Sequence, residues 1–432
     1  MIRKLMSVYS TNVILGVLGV ITVPILLKSI GIEGYGYYGI YLTVLSYFTL
    51  FELGIIKHFT KLISRKNEEV DDIISCFYFF TISIIVVCSP IVTVFVNYLF
   101  GVGWIYAILI SLVVSIEYVF YLPTKIYSSY AVAKKNFERL SFFNFLSGLI
   151  RYGLLIIGAL FIQNIFIVIS LLAIRRIFDV NLSKKILGEK ISIFKINQIT
   201  KANLKKVIGY YKESLYLSGT QALQINLNGM LSLIVSRFFG VEGLGVFRST
   251  YDLLSKIWFF SNGLGLVVFP YFTSNKINAN KYRRFIFLSW LFYSLIFILV
   301  ILLFPLLNKL LLEGTLTANE HFFLFLFLLI SILLIAQGNL SFEFLQANGN
   351  YKYLMLVTLA VNVSFLIFAL VLSKYILYTY SVIFGWMLSV MIQTVCFEFK
   401  SLNRSGIILV FSLLIILSWL TIGFFILFGR TL

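Results

Sequence analysis

Charge is scarce in this 432-residue chain: Asp, Glu, Lys and Arg together make up 12% of it, where soluble domains carry roughly 25%. Cysteine, histidine and proline are scarcer still, with three, two and five copies. Cys76, Cys88 and Cys396 are odd in number, form no CxxC pair and sit in apolar runs. That excludes a disulfide scaffold and a cysteine metal site, and leaves them as small buried hydrophobes. His58 and His321 stand singly at the ends of apolar runs, where they read as interfacial side chains and not as ligands. No Ser/His/Asp set and no metal-ligand cluster is legible, so no catalytic residue and no metal is expected. What abounds is apolar: 60% of the residues are hydrophobic, and Phe alone occurs 44 times. About three soluble domains would fit this length, but their cores could not hide so much apolar surface. The chain is solvated by lipid.

A membrane-spanning helix needs about 20 mostly apolar residues. Such runs occupy residues 7–27, 37–56, 73–99, 104–130, 140–162 and 164–178, then 213–239, 246–269, 285–312, 322–347, 353–372 and 378–397. A further run at 407–428 predicts an extra C-terminal helix. The first run contains Pro24 and no cleavage site of small residues follows it, so it reads as a span and not as a signal peptide. The net charge of +18 is partitioned. With the N-terminus inside, 26 Lys and Arg fall on inner segments and six on outer ones, namely Lys28, Arg237, Arg248, Lys309, Lys374 and Arg430. This bias orients the chain with its N-terminus in the cytoplasm. Topology accounts for the basic loops, and no nucleic-acid partner is needed. The longest polar stretch, 179–211, is expected to be a cytoplasmic basic linker between an N-terminal bundle (1–178) and a C-terminal bundle (212–399), with 400–432 carrying the extra helix.

The two bundles resemble each other. Gly31, Glu33, Gly34 and Gly36 recur as Gly240, Glu242, Gly243 and Gly245 at an offset of 209, which also places Lys28 on Arg237 and Gly54 on Gly263. Pro90 maps onto Pro305 at 215, and Ala133, Asn136 and Phe137 map onto Ala347, Asn350 and Tyr351 at 214. Six spans per half is an even number, so both halves enter from the same side as parallel repeats. The expected fold is therefore an all-α integral membrane protein: two parallel six-helix bundles, twelve core helices in all, around a central cleft that opens to each side by rocking. Pro24, Pro90, Pro123, Pro270 and Pro305 lie within or at the ends of spans, where a lost backbone hydrogen bond makes each a candidate bend. Static kinks set by packing account for each of them as well. The glycine motif lacks the strand before it and the Gly-Lys-Ser/Thr after it that a phosphate loop requires; a tight outer turn leading into a short interfacial segment fits better.

A hydrophobic helix, a Gly-x-Glu-Gly-x-Gly outer turn, a second helix and a duplicate after a basic linker resemble the Wzx-type polysaccharide flippases. These belong to the multidrug/oligosaccharidyl-lipid/polysaccharide exporter superfamily, and the likeness covers nearly the whole chain. The resemblance implies transfer of undecaprenyl-pyrophosphate-linked oligosaccharide across a bacterial inner membrane, for O-antigen or capsule. It also implies the polysaccharide polymerase and the chain-length regulator of that pathway as partners. It does not identify the sugar.

Charges inside spans supply an independent argument, because a charge at the bilayer centre costs about 2.5–3.5 kcal/mol on insertion scales and faces a cavity or a partner. Arg248, Asp252 and Lys256 follow at i, i+4 and i+8, which on one helix is a single face. Arg151 and Lys125 lie mid-span, and Lys28 and Arg237 at symmetric outer helix ends. Together they suggest a cationic cleft for a pyrophosphate, since Arg pairs with phosphate oxygens bidentately. Asn226 and Asn228, with Ser218, Gln221 and Gln224 on the same span, would meet sugar hydroxyls. The competing reading is internal pairing, of Arg248 and Lys256 with Asp252 and of Arg151 with Glu117, and snorkelling for Lys28 and Arg237. Among the acids in or near spans, Asp252, Glu52, Glu117 and Glu343 are candidates to carry a coupling proton or sodium ion, and Glu398 lies nearby; each serves equally as a structural counter-ion. No other cofactor is expected.

Three rival functions compete with this reading, the last of them closely, since helix number alone separates it weakly. A multidrug or small-cation antiporter of the same superfamily calls for an acid-dominated cleft. A polymerase or ligase calls for a large outer loop with catalytic side chains. A peptidoglycan lipid-precursor flippase shares the carrier but usually has fourteen helices.

Overall fold

The computed structural model describes residues 2–52, 55–64, 70–134, 136–187, 200–213, 215–258, 279–311, 318–375, 379–402 and 415–420. Among these no strand occurs. The helices are α1 (Ile2–Phe48), α2 (Ile55–Ser64), α3 (Val70–Phe100), α4 (Trp104–Ala133), α5 (Phe137–Ile162), α6 (Ile165–Leu187), α7 (Lys201–Glu213) and α8 (Leu215–Leu254). They continue with α9 (Ala279–Leu302), α10 (Phe304–Leu311), α11 (Ala318–Ala347), α12 (Tyr351–Tyr375) and α13 (Thr379–Ser401).

Nine of the described helices are long and apolar enough to cross a membrane. Two of them are too long to do so once. The apolar parts of α1 and α8 each run for 39 residues, about 58 Å if straight, against a hydrocarbon core of about 30 Å. Both are broken at the equivalent glycine: Gly31 has φ 71° and ψ 178°, and Gly240 has φ 70° and ψ −173°. Each arm of α1 and of α8 is thus a separate helix, so the two breaks turn two long helices into four. Adding α6, which is 23 residues long but carries Arg175, Arg176 and Asp179, completes the twelve core helices. The protein is an all-α membrane fold. The glycine turn differs from the expected loop with an interfacial segment, because the second arm is helical from residue 32 onward.

That backbone region, near φ +70° and ψ 180°, is essentially reserved for glycine. Gly31→Ala or Gly240→Ala is therefore expected to cost about 1–3 kcal/mol. Asn, which tolerates the ordinary left-handed region at much smaller ψ, is expected to be no better than Ala. Thermal unfolding in detergent checks this. Equal stability of the Gly31→Asn variant and the wild type would overturn it.

The duplication is visible in the helix bounds. Both α4 and α11 have 30 residues, and both α6 and α13 have 23. The offset of 214 carries Trp104 to Ala318, Phe137 to Tyr351 and Ile165 to Thr379. The stretch expected as a linker contains the end of α6 and all but the last two residues of α7. Compactness divides the chain within α8, into Met1–Arg248 and Ser249–Leu432. Within the first unit, Asn226, Gly229, Val241 and Arg248 of α8 each meet a residue of α1.

In the first unit, α2 and α7 lie over one end of α3, α4 and α5. Phe59 and Val207 join Ile73, Phe77, Leu122, Ile126 and Phe143 in one buried cluster, while Lys201, Lys205 and Lys206 remain exposed. In the second unit α11 is the central helix, buried at every position from 324 to 334. Val87, Ile105, Phe161, Leu295 and Leu302 stand out from the surface, as a lipid-facing exterior requires.

Pro24, Pro90 and Pro123 lie inside continuous helices. The expected run at 285–312 is instead interrupted at Leu303, just before Pro305, whose ring cannot continue the preceding hydrogen-bond ladder. Pro270 lies outside the described residues. Of the extra C-terminal run only 415–420 is described. Its Trp419 is buried against Trp290 and Phe297, at ring distances of 5.6 and 5.2 Å.

Candidate functional site

One helical arm, residues 32–48 of α1, meets three of the charged residues singled out in the sequence, Arg151, Glu117 and Arg248. It carries Tyr38 and Tyr41 one turn apart, which puts both phenols on one face. Arg151 of α5 donates to the Tyr38 hydroxyl and also lies beside Tyr41 and Tyr152. Among the described residues Arg151 has no ion pair. Its expected counter-ion, Glu117, is engaged elsewhere: Tyr41 donates its hydroxyl proton to Glu117 Oε2, and Arg176 Nε donates to Glu117 Oε1 at 2.9 Å.

Glu117 starts a chain of buried charges through α4, α6 and α5. Arg176 Nη1 reaches Asp179 Oδ2 at 3.3 Å, and Arg175 Nη2 reaches the same oxygen at 3.1 Å. Arg175 Nη1 then donates to the Ser147 carbonyl at 3.0 Å. Glu117, Arg175 and Asp179 are exposed by only 1%, 3% and 0%. Arg175 Nε and Asp179 Oδ1 are buried without a hydrogen-bond partner. Ion pairs this deep persist because removing either partner would leave a bare charge in a low dielectric.

The chain continues toward the far end of the arm. The Tyr121 ring lies between Arg176, 4.7 Å from its centroid, and Lys125, 5.0 Å away. Lys125 also faces the Glu52 carboxylate, which accepts the Tyr118 hydroxyl proton at 3.3 Å. Lys125 and Glu52 thus interact electrostatically, without a contact as short as an ion pair.

On its other flank the arm meets α8. A Cβ placed on Gly39 would lie 3.1 Å from Arg248 Cγ, so the Arg248 stem lies along this glycine. Tyr47 donates to Asn226 Oδ1 at 3.5 Å, and Gly229 sits against the Tyr47 ring. Asn228 is half-buried and its side-chain oxygen has no partner. Arg151 and Arg248, far apart in sequence, thus flank adjacent residues of one helix, Tyr38 and Gly39.

The other expected site residues lie elsewhere. α8 stops at Leu254 and Lys256 falls in the 3₁₀ turn Ser255–Ile257. The row 248/252/256 is therefore α-helical only through its first two members, because the tighter turn rotates the third out of register. Lys28 and Arg237 are exposed three residues before their glycine breaks, and Arg237 lies 5.7 Å from the Tyr98 ring. Asp252 is buried and Glu343 half-buried, both in the second unit. There, Glu398 Oε1 accepts from Trp290 Nε1 at 2.9 Å and from Gln337 Nε2 at 2.8 Å. Ser218 has no described side chain.

Arg175, Arg176 and Asp179 are the central residues that sequence reasoning missed. They ended the apolar run and so read as the start of a basic loop. The available signal was their spacing: opposite charges at i, i+3 and i, i+4 on a helix. The second copy of the scaffold lacks this chemistry. At the offset of 214, Glu117, Lys125, Arg151, Arg176 and Asp179 become Ser331, Asn339, Phe365, Val390 and Gln393.

The chain matches no family model and no curated protein in sequence. Its fold is nonetheless similar to several solved structures. The lipid II flippase MurJ in an inward closed conformation superposes with a TM-score of 0.71 at 14% identity, over 100% of both chains. An inward-facing multidrug resistance MATE transporter of the MOP superfamily gives 0.67 at 12% identity, covering 93% of this chain and 98% of that one. A MOP superfamily transporter from Pyrococcus furiosus, described as having a binding pocket of reversed polarity, gives 0.59 at 13% identity over 93% and 94%. The chain therefore has the fold of multidrug transporters and lipid flippases.

Proposed function

We propose that the protein is a flippase for an anionic lipid-linked saccharide, carrying undecaprenyl-pyrophosphate-linked oligosaccharide repeat units across a bacterial inner membrane by alternating access. The observation that carries this reading is the environment of Arg151. Among the described residues its guanidinium has phenols and no carboxylate beside it, and the Arg248 stem lies on the next residue of the same helix. A guanidinium in such a place suits the oxygens of a pyrophosphate, through charge-assisted hydrogen bonds strengthened by exclusion of water, and Arg248 is the second candidate donor on the same arm. Lys125, which faces Glu52 and the Tyr121 ring, is assigned a structural part. Asn226 and Asn228 are the polar groups on α8 suited to sugar hydroxyls. Glu52 and Glu117 remain candidates for a coupling proton or sodium ion, and either would first have to leave its present partners.

A second reading, transport of a peptidoglycan lipid precursor, is favoured by the full-length likeness to MurJ. Leaflet translocation in proteoliposomes distinguishes the two. Fluorescent undecaprenyl-pyrophosphate oligosaccharide is expected to cross, and lipid II to cross far more slowly. The reverse order would establish the second reading. Failure of folded protein to move either lipid, together with export of a small organic cation, would replace both with an antiporter.

A further inference from the structure

The glycine motif does more than turn the chain. A Cβ built on Gly36 would lie 2.1 Å from the Val241 carbonyl oxygen, and one built on Gly245 would lie 2.1 Å from the Ile32 carbonyl oxygen. Side chains cannot occupy either position. The two contacts are the same contact twice, since Gly36 and Gly245 are repeat equivalents at the offset of 209, as are Ile32 and Val241. Gly39 and Arg248 are equivalents as well, and they touch each other. A residue that meets its own equivalent lies on the line about which two copies exchange. The arms 32–48 and 241–248 therefore meet in a reciprocal, two-fold manner, backbone against backbone.

Such a seam has unusual mechanics. Glycine lets helix backbones approach closely, and what then holds them is Cα–H···O contact and dispersion, each weak. Each arm also begins at a glycine break, Gly31 or Gly240, and a few such element-terminal residues suffice to absorb a hinge rotation.

We propose that the Gly36/Gly245 contact is the parting line of the transport cycle. It is closed in the structure described, and it separates by rotation about Gly31 and Gly240 so that the Arg248 and Arg151 guanidiniums open toward the end of the bundle that carries both glycine turns. This rests on the transporter reading but not on the identity of the cargo. Gly36 and Gly245 act as positioning residues that touch no substrate.

The test uses Glu33 and Glu242, exposed equivalents beside the seam. Each is replaced by Cys in a full-length background free of Cys76, Cys88 and Cys396, and both are spin-labelled in proteoliposomes. The wild type is expected to show a short and a long distance population whose ratio shifts when transportable lipid is added. Gly36→Leu and Gly245→Leu are expected to hold the long population and to reduce turnover at least ten-fold. Impermeant maleimide should also label a Cys at buried Ile40, on the Gly36 face, at least ten-fold faster in these variants. Gly36→Ala serves as the milder wedge should Leu prevent folding. A single unchanged distance in the wild type and in every folded wedge variant would overturn the proposal. Two populations without lipid transport would instead leave the seam standing and remove the flippase reading.

Discussion

Arg176→Met is expected to lower the stability of the detergent-solubilised protein by about 3–5 kcal/mol, the cost of breaking a buried ion pair by deleting one partner. Among the described residues Arg176 is the ion-pair partner of Glu117 and joins it to Asp179, so its loss leaves the Glu117 carboxylate facing low dielectric. Arg175 would still hold Asp179 at 3.1 Å. Glu117 would keep only the Tyr41 hydroxyl, which neutralises nothing. The double variant Glu117→Gln/Arg176→Met is expected to be more stable than the single one, because it removes one charge of each sign and leaves the Arg175–Asp179 pair intact. Thermal and denaturant unfolding of both variants checks the order. A double variant less stable than Arg176→Met would mean that the Glu117 carboxylate does not depend on Arg176 for its neutralisation.

Arg151→Met is expected to weaken the apparent affinity for a pyrophosphate-linked lipid about 10–100-fold. That corresponds to the loss of charge-assisted hydrogen bonds worth about 1.5–3 kcal/mol. The same substitution at Lys125 should change affinity less than about three-fold, since its ammonium already serves Glu52 and the Tyr121 ring. It should instead lower stability. The contrast is informative because both are mid-span cations of the first unit and sequence alone treats them alike. Equal losses of affinity would show that net charge, and not the local partner, governs recognition. Retained affinity in folded Arg151→Met would remove Arg151 from the binding set and leave Arg248 to be tested by itself.

Several features of the site could be read along the chain. Gly31, Gly36, Gly240 and Gly245 announced a duplicated helix pair at a constant offset, and both breaks adopt the same backbone conformation. Arg151, Lys125 and Arg248 were singled out because isolated charges within apolar runs need a partner or a cavity. The choice between partner and cavity could not be read, because it depends on which helix faces which. Glu117 takes Arg176 and not Arg151. Asp179 takes two arginines that the hydropathy pattern had assigned to a loop, and the same pattern cut α6 short at residue 178. Lys256 fell out of its row because the α-helix gives way to a 3₁₀ turn at Ser255.

Hydropathy and periodicity are properties of neighbouring residues, so composition and spacing settled what they govern: residence in lipid, helical spans, their duplication and the glycine breaks between arms. The neutralisation of each cation, the convergence of Arg151 and Arg248 on Tyr38 and Gly39, and the Gly36/Gly245 contact belong to the tertiary structure. In these contacts Glu117 and Arg176 are 59 residues apart in the chain, and Gly36 and Gly245 are 209 apart. Their energies depend on desolvation and on ångström-scale distances that exist only once the helices have packed.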